Sequence, residues 1–285
     1  MPKIKLAGSS LYYIDRGKGA TVVLLHSYLA NAFMWTPQVR ALETRYRVIV
    51  PDLWGHGSSG ALPKGTGGLT ALTHQLRSLL DALQIETCVV IGQSVGGMLA
   101  AELALMLPEC VNGLGLIGTY LGPEPVEPQT YFMRLLDEIE AMGTFTSSLL
   151  DEVTSMFFQS GTSDTVSSLK ASFERQLSLL SSAALLESIV PIGRMIFQRR
   201  DLLDHLHELQ ATRTLIMCGE HDRVRPPRES MEMAQRIGCR YVTVPEAGHT
   251  PNLEQPAFVT DALCVFLDEI EGHPLSLATC RDTSS

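Results

Sequence analysis

The chain has no long apolar run. Its apolar runs, such as residues 22–25 and 89–91, fall far short of the roughly 20 residues needed to cross a bilayer. It has no basic cluster either: 22 Lys and Arg face 31 Asp and Glu, for a net charge of −9. A nucleic-acid binder needs a basic footprint, and an acidic surface disfavours polyanionic ligands and anionic membranes. Neither a nucleic acid nor a membrane is therefore expected as a partner. The opening residues Met1-Pro2-Lys3-Ile4-Lys5-Leu6 lead into polar Gly8-Ser9-Ser10, so no signal peptide is visible. The six cysteines (Cys88, Cys110, Cys218, Cys239, Cys264, Cys280) lie scattered without CxxC spacing. That pattern argues against disulfides or a zinc site and for reduced, buried thiols in a cytoplasmic protein.

What is present is ample for a sizeable core: 285 residues, 45% of them apolar. Short apolar runs at residues 22–25, 48–50, 88–91, 114–117, 215–218 and 241–244 read as buried strands. A hairpin is expected from residues 4–6 and 11–14, turning at Gly8-Ser9-Ser10. Helix-length stretches alternate with the strands at residues 69–83, 95–107, 227–237 and 256–270. This order implies a doubly wound α/β fold: a mostly parallel sheet with helices on both faces. The alternation breaks between residues 120 and 206, where Pro123, Pro125 and Pro128 open a stretch of helical patterns without strands. The expected organisation is an α/β core at residues 1–119 and 207–272, a helical cap at 120–206 and a polar tail at 273–285.

The chemistry concentrates at strand ends. Gly92-Gln93-Ser94-Val95-Gly96 follows one expected strand and opens a helix. GxSxG alone is a weak pattern, but the strand–turn–helix setting makes Ser94 a candidate nucleophile. The sharp turn needs small neighbours. A serine hydroxyl also needs a base and an orienting acid. Asp222 follows the expected strand at 215–218, and His249 follows the one at 241–244. Ligands bind at such carboxyl ends in open α/β sheets. Asp222 would fix the tautomer of His249, and His249 would move the Ser94 proton. Glu220 and His221 adjoin Asp222 and read as loop residues facing solvent. His205 and His207 lack a third ligand at suitable spacing, so no metal site is expected. Two donors are needed for an oxyanion. They are the backbone N–H groups of Val95, directly after the nucleophile, and of Tyr28, in the loop His26-Ser27-Tyr28-Leu29.

Together these residues resemble the α/β-hydrolase superfamily, in its serine-nucleophile branch with a helical cap, over residues 12–266. Leu24-Leu25-His26-Ser27 is similar to that family's oxyanion loop, although Ser27 stands where glycine is usual. Asp52-Leu53-Trp54-Gly55-His56-Gly57-Ser58-Ser59 resembles its D-x-x-G-x-G-x-S stretch, Gly219-Glu220-His221-Asp222 its acid loop, and Gly248-His249 onward its histidine loop. The resemblance implies a hydrolase acting on a small-molecule acyl substrate, without cofactor or metal. A carboxylic ester or lactone with an apolar acyl group of medium length is the first expectation. C–C bond hydrolysis, amide hydrolysis and perhydrolysis use the same triad and stay open. So does a slow-turnover ligand-sensing module that retains the triad. Serine rather than aspartate at position 94 argues against haloalkane dehalogenase and epoxide hydrolase chemistry. Trp54, Phe132, Met133 and Met156 are candidate pocket residues. Nothing in the sequence fixes the oligomeric state.

Overall fold

The computed structural model describes residues 2–160 and 163–272. The tail expected at 273–285, with His273 and Cys280, lies outside the described residues. Eight strands form one sheet: β1 (Lys3–Leu6), β2 (Ser9–Arg16), β3 (Thr21–Leu25), β4 (Arg47–Pro51), β5 (Cys88–Gln93), β6 (Val111–Ile117), β7 (Arg213–Gly219) and β8 (Arg240–Val244). Their order is β1-β2-β4-β3-β5-β6-β7-β8. β2 runs antiparallel to β1 and β4, and the remaining pairs are parallel. Alternate residues of β3 enter different cores. Val23 and Leu25 pack on one face, and Val22 and Leu24 on the other. Burial on both faces is why these strands read as unbroken apolar runs.

The hairpin turns one step earlier than the sequence implied. Ala7 (φ 48°) and Gly8 (φ 83°) make a two-residue left-handed turn, and Ser9 and Ser10 already belong to β2. That geometry matches the twist of the flanking strands. Helices α1 (Thr36–Leu42), α2 (Leu69–Ala82) and α3 (Val95–Met106) follow β3, β4 and β5 in turn. The chain crosses from β4 on one side of β3 to β5 on the other. The loops after β3 and β5 therefore meet at the reversal of strand order, where open α/β sheets bind ligands.

Between β6 and β7 the described residues contain only helices: α4 (Val126–Met142), α5 (Ser147–Phe157), α6 (Asp164–Ser178), α7 (Ser182–Ala184), a π-helical turn Leu185–Ile189, α8 (Val190–Phe197) and a 3-10 stretch Leu203–Ala211. Side chains of Thr146, Ser163 and Ser181 cap α5, α6 and α7, and Gly143 (φ 62°) ends α4 in the left-handed region. Leu135, Leu136, Ile139 and Phe157 of this insertion share one buried cluster with Leu25 and Met98 of the α/β core. The chain then completes the core with α9 (Pro227–Ile237), α10 (Pro251–Glu254) and α11 (Pro256–Glu271). Among the described residues, no single helix is long and apolar enough to cross a membrane.

Candidate active site

Ser94 sits between β5 and α3 with φ 55° and ψ −120°, a conformation that costs about 1–3 kcal/mol for a non-glycine residue. Its surroundings hold it there. The Ser94 N–H donates to the Ile117 carbonyl of β6 (2.9 Å). Its own carbonyl accepts from Gly97 N–H (2.9 Å) and from the Thr119 hydroxyl (2.7 Å). The elbow is also closely packed. A Cβ at Gly92 would lie 2.1 Å from the Gly96 carbonyl oxygen, and one at Gly96 would lie 2.3 Å from that of Leu25. Glycine at 96 is what lets the turn at Ser94 rest directly on the end of β3.

Asp222 and His249 are buried and paired, with Asp222 Oδ2 2.9 Å from His249 Nδ1. The other oxygen of Asp222 accepts from the N–H groups of Val224 (2.9 Å) and Arg225 (2.8 Å). The carboxylate accepts the hydrogen bond from Nδ1–H, which leaves Nε2 as the basic nitrogen. Two further groups fix the histidine loop. Gln93, inside the serine pentapeptide, donates its side-chain N–H to the His249 carbonyl. Glu254 accepts from the N–H groups of Gly248 (3.0 Å), Thr250 (3.3 Å) and Gln159 (2.8 Å), and from the Thr250 hydroxyl (3.2 Å). Burial raises the Glu254 pKa, and these donors offset part of the rise. His221 and Glu220 are half-exposed, with only a loose 3.9 Å contact to each other.

The loop after β3 is held by two neutral histidines. His26 Nε2 accepts from Leu53 N–H (2.8 Å), and its Nδ1–H donates to the Ser27 carbonyl (2.7 Å). His56 Nε2 accepts from Leu29 N–H (3.1 Å), and its Nδ1–H donates to the Trp54 carbonyl (2.9 Å). Burial pushes their pKa values down, to about 4 for His26 and about 3 for His56. Asp52 braces the same region by accepting from Ala32 and Ser58 N–H groups, both at 2.7 Å. Leu29 takes a left-handed φ of 63°, and the Tyr28 hydroxyl donates to Ile189 of the π-helical turn (2.7 Å). Burial pushes the Tyr28 phenol well up, so it stays protonated. The Tyr28 and Val95 N–H groups are engaged by no other group among the described residues.

A cavity of about 60 Å³ joins these parts. Ser94, His249 and Tyr28 line it with apolar residues of the helical insertion. Phe157 stands edge-on to the His249 ring (5.4 Å, 83°), and Phe132 stacks flat on Phe197 (4.3 Å, 8°). Two of the four expected pocket residues, Phe132 and Met156, are on its wall. Met133 is not. It lies about 100° further round α4 than Phe132 and packs against the core. Trp54 is not on the wall either: its loop turns the indole fully into the packed interior. The cavity as it stands is small beside the roughly 300–1,000 Å³ common for small-molecule sites.

Residues 20–256 match the model of the alpha/beta hydrolase fold family. The chain is 28% identical over 251 residues to a pimeloyl-[acyl-carrier protein] methyl ester esterase of Nitrosospira multiformis, covering 87% of this chain and 94% of that protein. Among solved structures, a thermophilic esterase from Thermogutta terrifontis superposes with a TM-score of 0.85 at 27% identity, covering 95% of this chain and 99% of the esterase. The enol-lactonase of Burkholderia xenovorans LB400 superposes at 0.81 and 25% identity, over 93% and 99% of the two chains. With the family model spanning all of the parallel strands and the loops that carry Ser94, Asp222 and His249, the chain belongs to the alpha/beta hydrolase fold family.

Proposed function

We propose that this protein is a serine hydrolase that cleaves a carboxylic ester or lactone through an acyl-enzyme on Ser94. The observation that carries the reading is a juxtaposition. The strained serine, the His249–Asp222 pair and two unengaged backbone donors converge on one apolar cavity. Hydrolases among its relatives, an ester esterase and an enol-lactonase, support the same chemistry.

In the first step Ser94 Oγ attacks the acyl carbon while His249 Nε2 takes the hydroxyl proton. Asp222 stabilises the imidazolium and holds the ring in its tautomer. The carbonyl oxygen becomes an oxyanion and accepts from the N–H groups of Val95 and Tyr28. Val95 also opens α3, whose positive dipole end favours that charge. The C–O bond then breaks, and His249 delivers its proton to the leaving alcohol. In the second step His249 deprotonates a water that attacks the ester carbon. Collapse returns the proton to Ser94 and releases the acid. The machinery needs only the chain's own groups.

The cavity narrows the acyl group. A cavity of this size favours a short chain, and a longer one would displace the flexible side chains of Met98 and Met156 that line it. Ser94→Ala tests the mechanism: turnover of p-nitrophenyl acetate is expected to fall by about 10³-fold or more with an unchanged melting temperature. Wild-type turnover by a folded Ser94→Ala protein would remove the proposal.

A further inference from the structure

The chain enters the helical insertion past Glu124 and leaves it past Arg199. Both side chains are buried, and so is Arg225, three residues after Asp222. Their charged ends converge. Arg199 Nη1 and Arg225 Nη2 both contact the Glu124 carboxylate at 2.5 Å, and Arg225 reaches both of its oxygens. Glu229 of α9 adds a longer contact to Arg225 Nη1 (3.6 Å), so two buried cations face one buried and one partly buried carboxylate. A backbone bond from Leu202 N–H to the Leu121 carbonyl (2.9 Å) ties the same two crossings together.

An ion cluster this deep is costly. Removing charges from water costs several kcal/mol each, and well-packed apolar residues are often as stable or more so. Stability alone gives little reason for it. Its location offers another. The backbone N–H of Arg225 donates to Asp222 Oδ1 (2.8 Å), and Asp222 Oδ2 holds His249 (2.9 Å). Wherever the Arg225 backbone is pinned, the Asp222 carboxylate follows.

We infer that Glu124 is a positioning residue. By gripping Arg225 from the insertion's neck, it sets the orientation of Asp222 and so of the His249 base. Arg199 locks the departing chain to the same carboxylate, so the insertion must be seated for the acid loop to be aligned. The inference rests on the Ser94–His249–Asp222 reading. Wild-type turnover reports on that reading, and the ratio of variant to wild type reports on the clamp.

The test is steady-state kinetics of the full chain on p-nitrophenyl acetate, with thermal melting as a check on folding. Glu124→Gln keeps the shape and removes the charge. It is expected to lower kcat by about 10–100-fold, the scale of a sub-ångström to ångström misplacement, while KM stays within about twofold. Glu124→Asp keeps the charge one methylene short and is expected to fall between Gln and wild type. A folded Glu124→Gln with wild-type kcat would overturn the inference. If Glu124→Gln does not fold, the quadruple variant Glu124→Met/Arg199→Met/Arg225→Met/Glu229→Gln decides, because it leaves no charge of the cluster unpaired. It is expected to fold and still lose kcat, and wild-type kcat in that folded quadruple variant would show that the cluster only fills space.

Discussion

Ser94 is held in a conformation that nothing in its own chemistry favours, and the residues that hold it were unequally visible. Gly92 and Gly96 stand in the pentapeptide, and their crowding against backbone is what the sharp turn predicts. Gln93 and Thr119 could not be read the same way. Gln93 occupies a variable position of the motif, yet its side chain reaches the His249 carbonyl across 156 residues of sequence. Thr119 lies just past β6, in a position with no pattern of its own, and donates to the Ser94 carbonyl. His26 and His56 were legible as motif letters but not as neutral, buried acceptors. Their role yields a prediction. Each has a native pKa far below the ordinary 6.5, because burial penalises the cation. The unfolded chain therefore binds protons first as the pH falls. The contribution of both rings is intact above about 6.5 and is lost as the pH drops toward 4 and then 3. The melting temperature is expected to decline already between pH 6.5 and 5, above the range of ordinary carboxylates. A flat profile across that interval would contradict the neutral state of the two buried rings.

Elements were read better than the contacts between them. α9 starts and ends where its prolines and apolar spacing imply, and α2 and α3 differ by one residue at their ends. α1 was missed: it is short, and only three of its seven residues are buried, so its pattern is weak. Residues 183–189 read as helical, but the π form of the turn Leu185–Ile189 leaves no signal, for a different reason. It exists because Ser188 and Ile189 must meet the loops of the core. The Ser188 hydroxyl accepts from Leu62 N–H (2.9 Å), and the Ile189 carbonyl takes the Tyr28 hydroxyl (2.7 Å). Such tertiary demands leave no periodic trace. The pocket walls show the same limit. Phe132 and Met133 are equally apolar, and only the rotation of α4 decides which one faces the cavity. Met156 on α5 supplies the test at this scale. Met156→Ala is expected to raise kcat/KM for p-nitrophenyl hexanoate relative to acetate by about 10-fold, the scale of one or two buried methylenes. Wild-type enzyme is expected to favour acetate. A wild-type preference for hexanoate would show that the cavity opens further than its walls allow.

Across the whole molecule, the helical insertion is fastened to the loops that carry Asp222 and His249. Glu124 reaches the acid loop through Arg225. Glu254 joins the histidine loop to Gln159, and the Thr250 hydroxyl lies 3.3 Å from the Phe157 carbonyl. The sheet brings Ser94, Asp222 and His249 to one edge, and the insertion supplies the apolar wall and the two anchors. The doubly wound sheet was legible because strands buried on both faces write themselves as apolar runs. The anchors were not, since a glutamate in a proline-rich stretch looks like any solvated charge until its partners are folded around it. All of this depends on Ser94 being the group that takes the acyl chain. The most direct measurement is labelling of the intact protein with a fluorophosphonate probe, followed by peptide mapping. One adduct per chain is expected on the Ser94 peptide, abolished in Ser94→Ala and strongly slowed in His249→Ala. An adduct on another residue, or no adduct on a protein that turns over esters, would contradict that role of Ser94.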